Sequence, residues 1–549
     1  MHLLAQAPGV TIPDIPWAAI SPELVLFGFG ILVLLLDTAG AKRLQASFMV
    51  LGVLGAGAGY ATYVTGEVAL PGLVGLAGLA QFALTAIWRD RPRTLGALLT
   101  TIGFAAGLGV SVWQWAVHAN GTRIATESLL GDMVAVDGVA LFTRFTVCLV
   151  GIVAVPLGFS YLEERRIHRG EYYPLLLFAA TGMTLLAASQ DLIMVFISVE
   201  VLSLSLYILC GFAKRDLNSQ ESALKYFLLG AFASALLLYG IALVYGVTGS
   251  TNLAEASEAF RALDAPAGMV MAAMALLLVG FGFKVSLVPF HMWTPDVYQG
   301  APTPVTGFMA AGVKAAAFAA FLRVFAGAFG DQAWSWVPVV WVLAALTMLA
   351  GAILAVVQTD LKRMLGYSAI AHAGYALIGV IAVSREGVSA TLFYLLVYAF
   401  MSLGAFGVLT LLERRGHKAM AISDLAGLGR RYPVPAGMFA LFLLSLAGIP
   451  GTAGFMGKLA VFRAGVDAGH VALVVVAVVS SVIAAFFYIR VIVAMFMEDE
   501  PDDVADQPLL TAPTGLSAGL SAAAAVVVVI GVLPGTLIDL AAQAASFAR

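Results

Sequence analysis

Residues Gly280–Thr306 read GFGFKVSLVPFHMWTPDVYQGAPTPVT, and the rest of the chain is best understood from this stretch outward. It continues a bilayer-grade apolar helix, places an ionisable Lys284 inside it, and then runs through Pro289 into a polar, proline-rich turn. Another apolar helix follows and carries Lys314. A charged side chain at membrane depth is costly, so it normally faces a bundle interior or a hydrated path and marks transport. Proline interrupts the helical ladder, and irregular backbone survives at such depth only where protein or water covers it. Two lysines around a broken membrane helix therefore point to an ion path.

The composition agrees. Of 549 residues, 61% are hydrophobic and 11% charged, whereas soluble domains carry about 25% charged residues. The chain is an integral membrane protein on these numbers, and the helical spans counted next make it an all-α polytopic one. A net charge of -3 offers no basic surface for nucleic acid, and no zinc-finger spacing or basic helix is present. Cys148 and Cys210 both lie in apolar segments, which gives no disulfide framework and no metal site. The first fifteen residues lack the basic region of a cleaved signal peptide.

Counting stretches long enough for a crossing of roughly 20 residues gives about sixteen spans. They include Leu44–Val64, Val68–Trp88, Leu95–Val117 and, last, Leu516–Leu540. With the N-terminus outside, the cytoplasmic connections hold most of the loop lysines and arginines, among them Lys42, Arg89, Arg165, Lys362 and Arg430. The opposite side holds Arg123, Arg261, Arg385 and Arg463. This bias satisfies the positive-inside rule with an even count and both termini on the outer face. Arg144 and Arg490 fall near helix ends, where snorkelling explains them as well as function does.

A second broken element, LSLAGIPGTAGFMGKLAVF over Leu444–Phe462, repeats the first: a mid-segment proline, Pro450, with glycines around it and an inward Lys458. Each broken helix is the fourth of a block of five, the blocks starting at Tyr172 and Trp336. An odd number of spans per block inverts the second relative to the first, and inverted repeats with discontinuous helices at matching positions are a transporter plan.

The ionisable groups in these blocks are few. Glu200, in LIMVFISVEVLSLSLYILCGF, is either a structural hydrogen bonder or a charge partner for Lys284 or Lys225. Lys225 lies about one turn from a cytoplasmic loop with Glu221 at i-4, so snorkelling competes with function there. Lys284, Lys314 and Lys458 lie too deep for that. A buried amine whose carboxylate partner approaches or retreats is a proton site of switchable affinity, and these lysines in series would carry protons. His372 is a candidate relay between them, and His291 is either a relay or a cap where the helix breaks. Phosphate-binding glycine loops, CxxC, CxxCH and HExxH are all absent. The chain can move ions but needs a partner to drive them.

These segments, with SVEVLSLSLYILCGF, SQESALKYFLLGAFASALLLYG and TDLKRMLGYSAIAHAGY, resemble the antiporter-like membrane subunits of proton-translocating NADH–quinone oxidoreductase, respiratory complex I, and of multisubunit sodium/proton antiporters. VYQGAPTPV and Lys458 favour the subunit N branch. Subunit M typically has a glutamate where Lys458 stands, and subunit L continues into a long lateral helix beyond its core. The resemblance implies that Glu200 pairs with Lys284, that Lys225 and Lys314 belong to the sixth and eighth core helices, and that Lys458 belongs to discontinuous helix twelve. It implies a fourteen-helix core, and the span count departs from that by two further helices between Val68 and Val117. Residues 1–67 would be N-terminal helices, 68–137 an inserted pair and outer loop, and 138–171 the third core helix. Residues 172–335 and 336–497 would be the two inverted repeats, broken at 280–300 and 444–462, with a loop and final helix over 498–549. No cofactor is expected in this chain; FMN, iron–sulfur clusters and quinone would lie in partner subunits. The expected neighbours in a bacterial inner membrane are subunits M and K, with A, H, J and L. A sodium/proton antiporter subunit is the alternative.

Overall fold

The computed structural model describes residues 17–39, 92–119, 132–262, 268–413, 420–499 and 512–546. The expected spans Leu44–Val64 and Val68–Trp88 lie outside the described residues, as do Lys42 and Arg89. Within them the molecule is a bundle of helices, eleven of which are long and apolar enough to cross a membrane.

The chain opens with α1 (Ser21–Ala39), α2 (Pro92–Ala119) and α3 (Gly138–Glu164). It continues through α4 (Tyr172–Ala188), α5 (Leu192–Cys210) and α6 (Leu217–Thr248) to a short amphipathic α7 (Leu253–Arg261). α8 (Gly268–Val285) and α9 (Trp293–Gly300) are the halves of the first broken helix. α10 (Thr303–Ala328), α11 (Ala333–Val356), α12 (Leu361–Ile381) and α13 (Arg385–Glu413) form the middle of the bundle. The second broken helix is α14 (Pro433–Ala447) with α15 (Ala453–Asp467). α16 (Val471–Met497), α17 (Thr514–Val532) and α18 (Gly535–Ser546) follow. The expected last span, Leu516–Leu540, is thus two helices. Pro534 lies between them and supplies no N–H to continue the ladder.

Most of these helices are apolar on every face, as buried or lipid-facing helices are. α10 and α13 are enclosed throughout, while α6, α11 and α16 leave residues such as Phe232, Val342 and Val482 exposed at the periphery. Starts are set by side chains: Asp137, Asp191, Asp216, Asn252 and Asp360 accept hydrogen bonds from the first turns of α3, α5, α6, α7 and α12. These satisfy N–H groups that have no partner inside the helix.

Two connections share one backbone pattern. Before α5, Leu192 N–H donates to Thr251 O (2.8 Å) and Leu253 N–H to Gln190 O (2.9 Å). Before α12, Leu361 N–H donates to Met420 O (2.8 Å) and Ile422 N–H to Thr359 O (2.9 Å). The paired residues Asp191–Asn252 and Asp360–Ala421 are the same distance apart in sequence.

Arg144 does not snorkel. It is fully buried, with Nε and Nη2 donating to the Glu23 carboxylate (2.7 and 3.0 Å) and Nη1 to Gln114 Oε1 (3.1 Å). Gln114 in turn donates to Ala18 O (2.7 Å). One arginine therefore ties α1, α2 and α3 together, and α2, which contains the expected span Leu95–Val117, is packed into the bundle through a buried polar contact.

Candidate functional site

The first break follows from local chemistry. α8 ends where Leu287 N–H turns back to Gly282 O (2.8 Å), and Ser286 adopts a left-handed backbone (φ 67°) that few non-glycine residues take. The Val288–Pro289 peptide is cis. Trp293 recloses the gap: its indole N–H donates to Phe283 O (2.9 Å), and Thr294 Oγ1 donates to Ser286 Oγ (2.8 Å). Lys284 stands in the last turn of α8, buried, with Nζ donating to Ser203 Oγ (2.6 Å). The rings of Tyr226, Phe283 and Tyr207 surround the ammonium, with centroids 5.5, 5.6 and 5.8 Å away. Such faces attract a cation without fixing it in a hydrogen bond.

Glu200 does not pair directly with Lys284. It lies on α5 one turn before Ser203 and makes no ion pair among the described residues, and its buried Oε1 accepts no hydrogen bond. The hydroxyls of Tyr207 and Tyr226 beside Lys284 are buried and unpartnered too.

Lys284 and Lys314 both line one closed gap, too small to hold a water molecule, with Ser286, Trp293, Tyr298, Met309 and Val313. Lys314 sits between two π-helical stretches of α10, Met309–Val313 and Leu322–Ala328. Wide turns of this kind free backbone groups and recur at functional sites. Its Nζ donates to Ala369 O on α12 and lies 5.4 Å from the Tyr398 ring. One turn along α12 from Ala369 is His372, whose Nδ1 lies 2.6 Å from Tyr394 Oη and whose Nε2 lies 3.3 Å from Tyr488 Oη. The Tyr375 ring touches both His372 and Lys458, at centroid distances of 5.5 and 5.0 Å.

Lys458 follows the second break, where Gly448 and Gly451 take left-handed backbone (φ 86° at each). Its Nζ donates to Ala447 O and to Ser481 Oγ, both at 2.8 Å. The left-handed backbone at Gly448 favours glycine, and an added Cβ would also come within 2.9 Å of the Lys458 stem.

The buried residues therefore form a row: Ser203, Lys284, the gap, Lys314, His372, Lys458, Ser481. Two of the expected residues lie off it. Lys225 is 41% exposed and joins Glu221 and Asp296 in ion pairs of 2.7 Å each. His291 lies, partly exposed, in the turn between α8 and α9. Sequence reasoning missed Ser203, Ser481 and the two tyrosines around His372. Ser203 carried a signal, being one helical turn from Glu200; Tyr394 and Tyr488 carried none. Among the described residues no group of acidic, histidine and cysteine side chains could hold a metal.

Broken helices bracketing buried amines within a bundle of apolar helices define a multi-pass membrane protein. The comparisons specify the class further. The NADH:quinone oxidoreductase/Mrp antiporter transmembrane family matches residues 189–484, more than half of the chain, and the chain belongs to that family. It is 46% identical to NADH-quinone oxidoreductase subunit N 3 of Streptomyces griseus over 84% of this chain and 90% of that one. It is 44% identical to subunit N of Rhodococcus opacus over 100% of this chain and 99% of that one. Among solved structures, a chain of respiratory complex I from Thermus thermophilus with bound aureothin is 37% identical, with a TM-score of 0.69 over 84% of this chain and 97% of that one.

Proposed function

We propose that this chain is the subunit N type of membrane subunit in a proton-translocating NADH–quinone oxidoreductase. It carries protons along the row from Lys284 to Lys458, driven by quinone reduction in partner subunits that hold the FMN and iron–sulfur clusters. The observation that carries the reading is the continuity of the row: three lysines, each enclosed and lacking a paired carboxylate among the described residues, are linked through polar or aromatic groups across both broken helices. Such amines destabilise a bundle unless their charge is used, because apolar side chains would hold the helices together without the desolvation cost. Glu200 supplies the negative charge that favours protonation of Lys284 when water joins them. His291 and Lys225 serve the inner approach to Lys284.

The architecture that fits this role has sixteen helices, a fourteen-helix core plus two, in a bacterial inner membrane with both termini on the outer side. The matching backbone pattern before α5 and α12 supports two five-helix repeats, and the loop charges favour opposite faces for those two connections. Subunits M and K are the expected neighbours, with A, H, J and L completing the arm.

Inside-out vesicles containing the assembled complex test the reading. NADH oxidation is expected to drive proton uptake in sodium-free buffer at the rate seen with sodium. Uptake that requires sodium would replace this reading with sodium/proton exchange.

A further inference from the structure

The inner ends of the two repeats meet at one carboxylate. Asp296 stands on α9, the eight-residue half-helix after the first break. Its Oδ2 accepts from Lys225 Nζ on α6 (2.7 Å), and its Oδ1 accepts from Arg363 Nη1 at the start of α12 (2.5 Å). Arg363 also donates to Gln299 Oε1, one turn further along α9 (3.2 Å). Lys225 belongs to the first five-helix block and Arg363 to the second, so the carboxylate bridges both.

An isolated helix of two turns has no stability of its own. The position of α9 is therefore set by what it touches. At its C-terminal end Gly300 lies so close to α6 that a Cβ would come within 2.3 Å of Asn218 O. At its N-terminal end Trp293 stacks on Tyr226 (4.7 Å between centroids, 15° between planes) and contacts Phe283 (5.3 Å). Those two rings are part of the cage around Lys284 Nζ. A shift of α9 thus moves the cage directly. The ion pairs at Asp296 are about 30% exposed on both the aspartate and the arginine, and partly exposed pairs are weak enough to be remade. Lys225 has a second acceptor in Glu221 (2.7 Å) when Asp296 releases it.

We infer that Asp296 is a positioning residue for proton transfer: shared between Lys225 and Arg363, it holds α9 and with it the aromatic cage that faces Lys284. The inference rests on the proton-carrying role of Lys284.

The test uses the assembled complex in vesicles, comparing Asp296→Asn, Asp296→Glu and Lys284→Met for proton uptake per assembled complex. Asp296→Asn is expected to cut uptake by at least about fivefold, since small misplacements of a reacting group are costly. Asp296→Glu, which keeps both acceptor oxygens, restores most of it. A purely structural tie would instead lower the amount of assembled complex with uptake per complex unchanged, and that result overturns the inference. Equal loss in the Glu and Asn variants overturns it as well. If Lys284→Met pumps normally, the reading of the site falls and this inference with it. If Lys284→Met is impaired while Asp296→Asn pumps normally, only the role of Asp296 falls.

Discussion

Replacing Lys458 by arginine is expected to stop proton uptake nearly as completely as replacing it by methionine, although arginine keeps the positive charge. Lys458 Nζ is held by two oxygens, Ala447 O and Ser481 Oγ, at the mouth of a break whose freed backbone can solvate either protonation state. Arginine stays protonated in proteins, so it can fill the site electrostatically but cannot hand a proton on. Methionine keeps the apolar stem and removes the amine. If Lys458 only pins helices, arginine works nearly as well as lysine and methionine weakens assembly. If it relays protons, both variants assemble and both lose uptake by at least about tenfold, well within the roughly hundredfold or more that a positioned proton-transfer group can contribute. NADH oxidation slows with it, because the two are coupled. Proton uptake, electron transfer and the amount of assembled complex, measured on the same membranes, separate the cases. Full uptake in the arginine variant would end the relay reading for this residue.

Lys284→Met is expected to have an effect of the same size with even less damage to packing. The ammonium is enclosed by Tyr207, Tyr226 and Phe283, a cage that a thioether side chain suits, since sulfur makes favourable contacts with aromatic edges. The hydrogen bond to Ser203 is lost, but the serine hydroxyl also donates to Val199 O and so keeps a partner. The variant should therefore assemble at close to wild-type amounts while proton uptake falls by about tenfold or more. Normal uptake at normal assembly would remove Lys284 from the path.

Much of this arrangement was legible in the chain. Lys284, Lys314 and Lys458 stand out because an amine inside an apolar helix is costly, and Pro289 and Pro450 mark the breaks beside two of them. What the sequence conceals is pairing across long separations. Glu200 was the natural partner for Lys284, since a carboxylate attracts an amine. The lysine instead reaches Ser203, one turn further along the same helix, because the rotation of α5 against α8 decides which side chain faces in. Arg144 looked like a snorkelling residue near a helix end; its partners Glu23 and Gln114 lie in other helices and give no local signal. Lys225 reads as one turn from a loop, but α6 already starts at Leu217, and the aspartate that captures the lysine, Asp296, is 71 positions away. The break at Pro534 is masked in the sequence, because the residues on both sides are apolar enough to read as one span.

The central claim is that the buried lysines act in series, and a triple variant tests this most directly. Elements in series fail together: once one is blocked, removing the others costs nothing more. Proton uptake per assembled complex is to be measured in Lys284→Met/Lys314→Met/Lys458→Met beside each single variant. The account predicts that the triple variant is no more impaired than the single ones. Losses that multiply from one lysine to the next, or uptake in the triple variant at the wild-type rate, would contradict it.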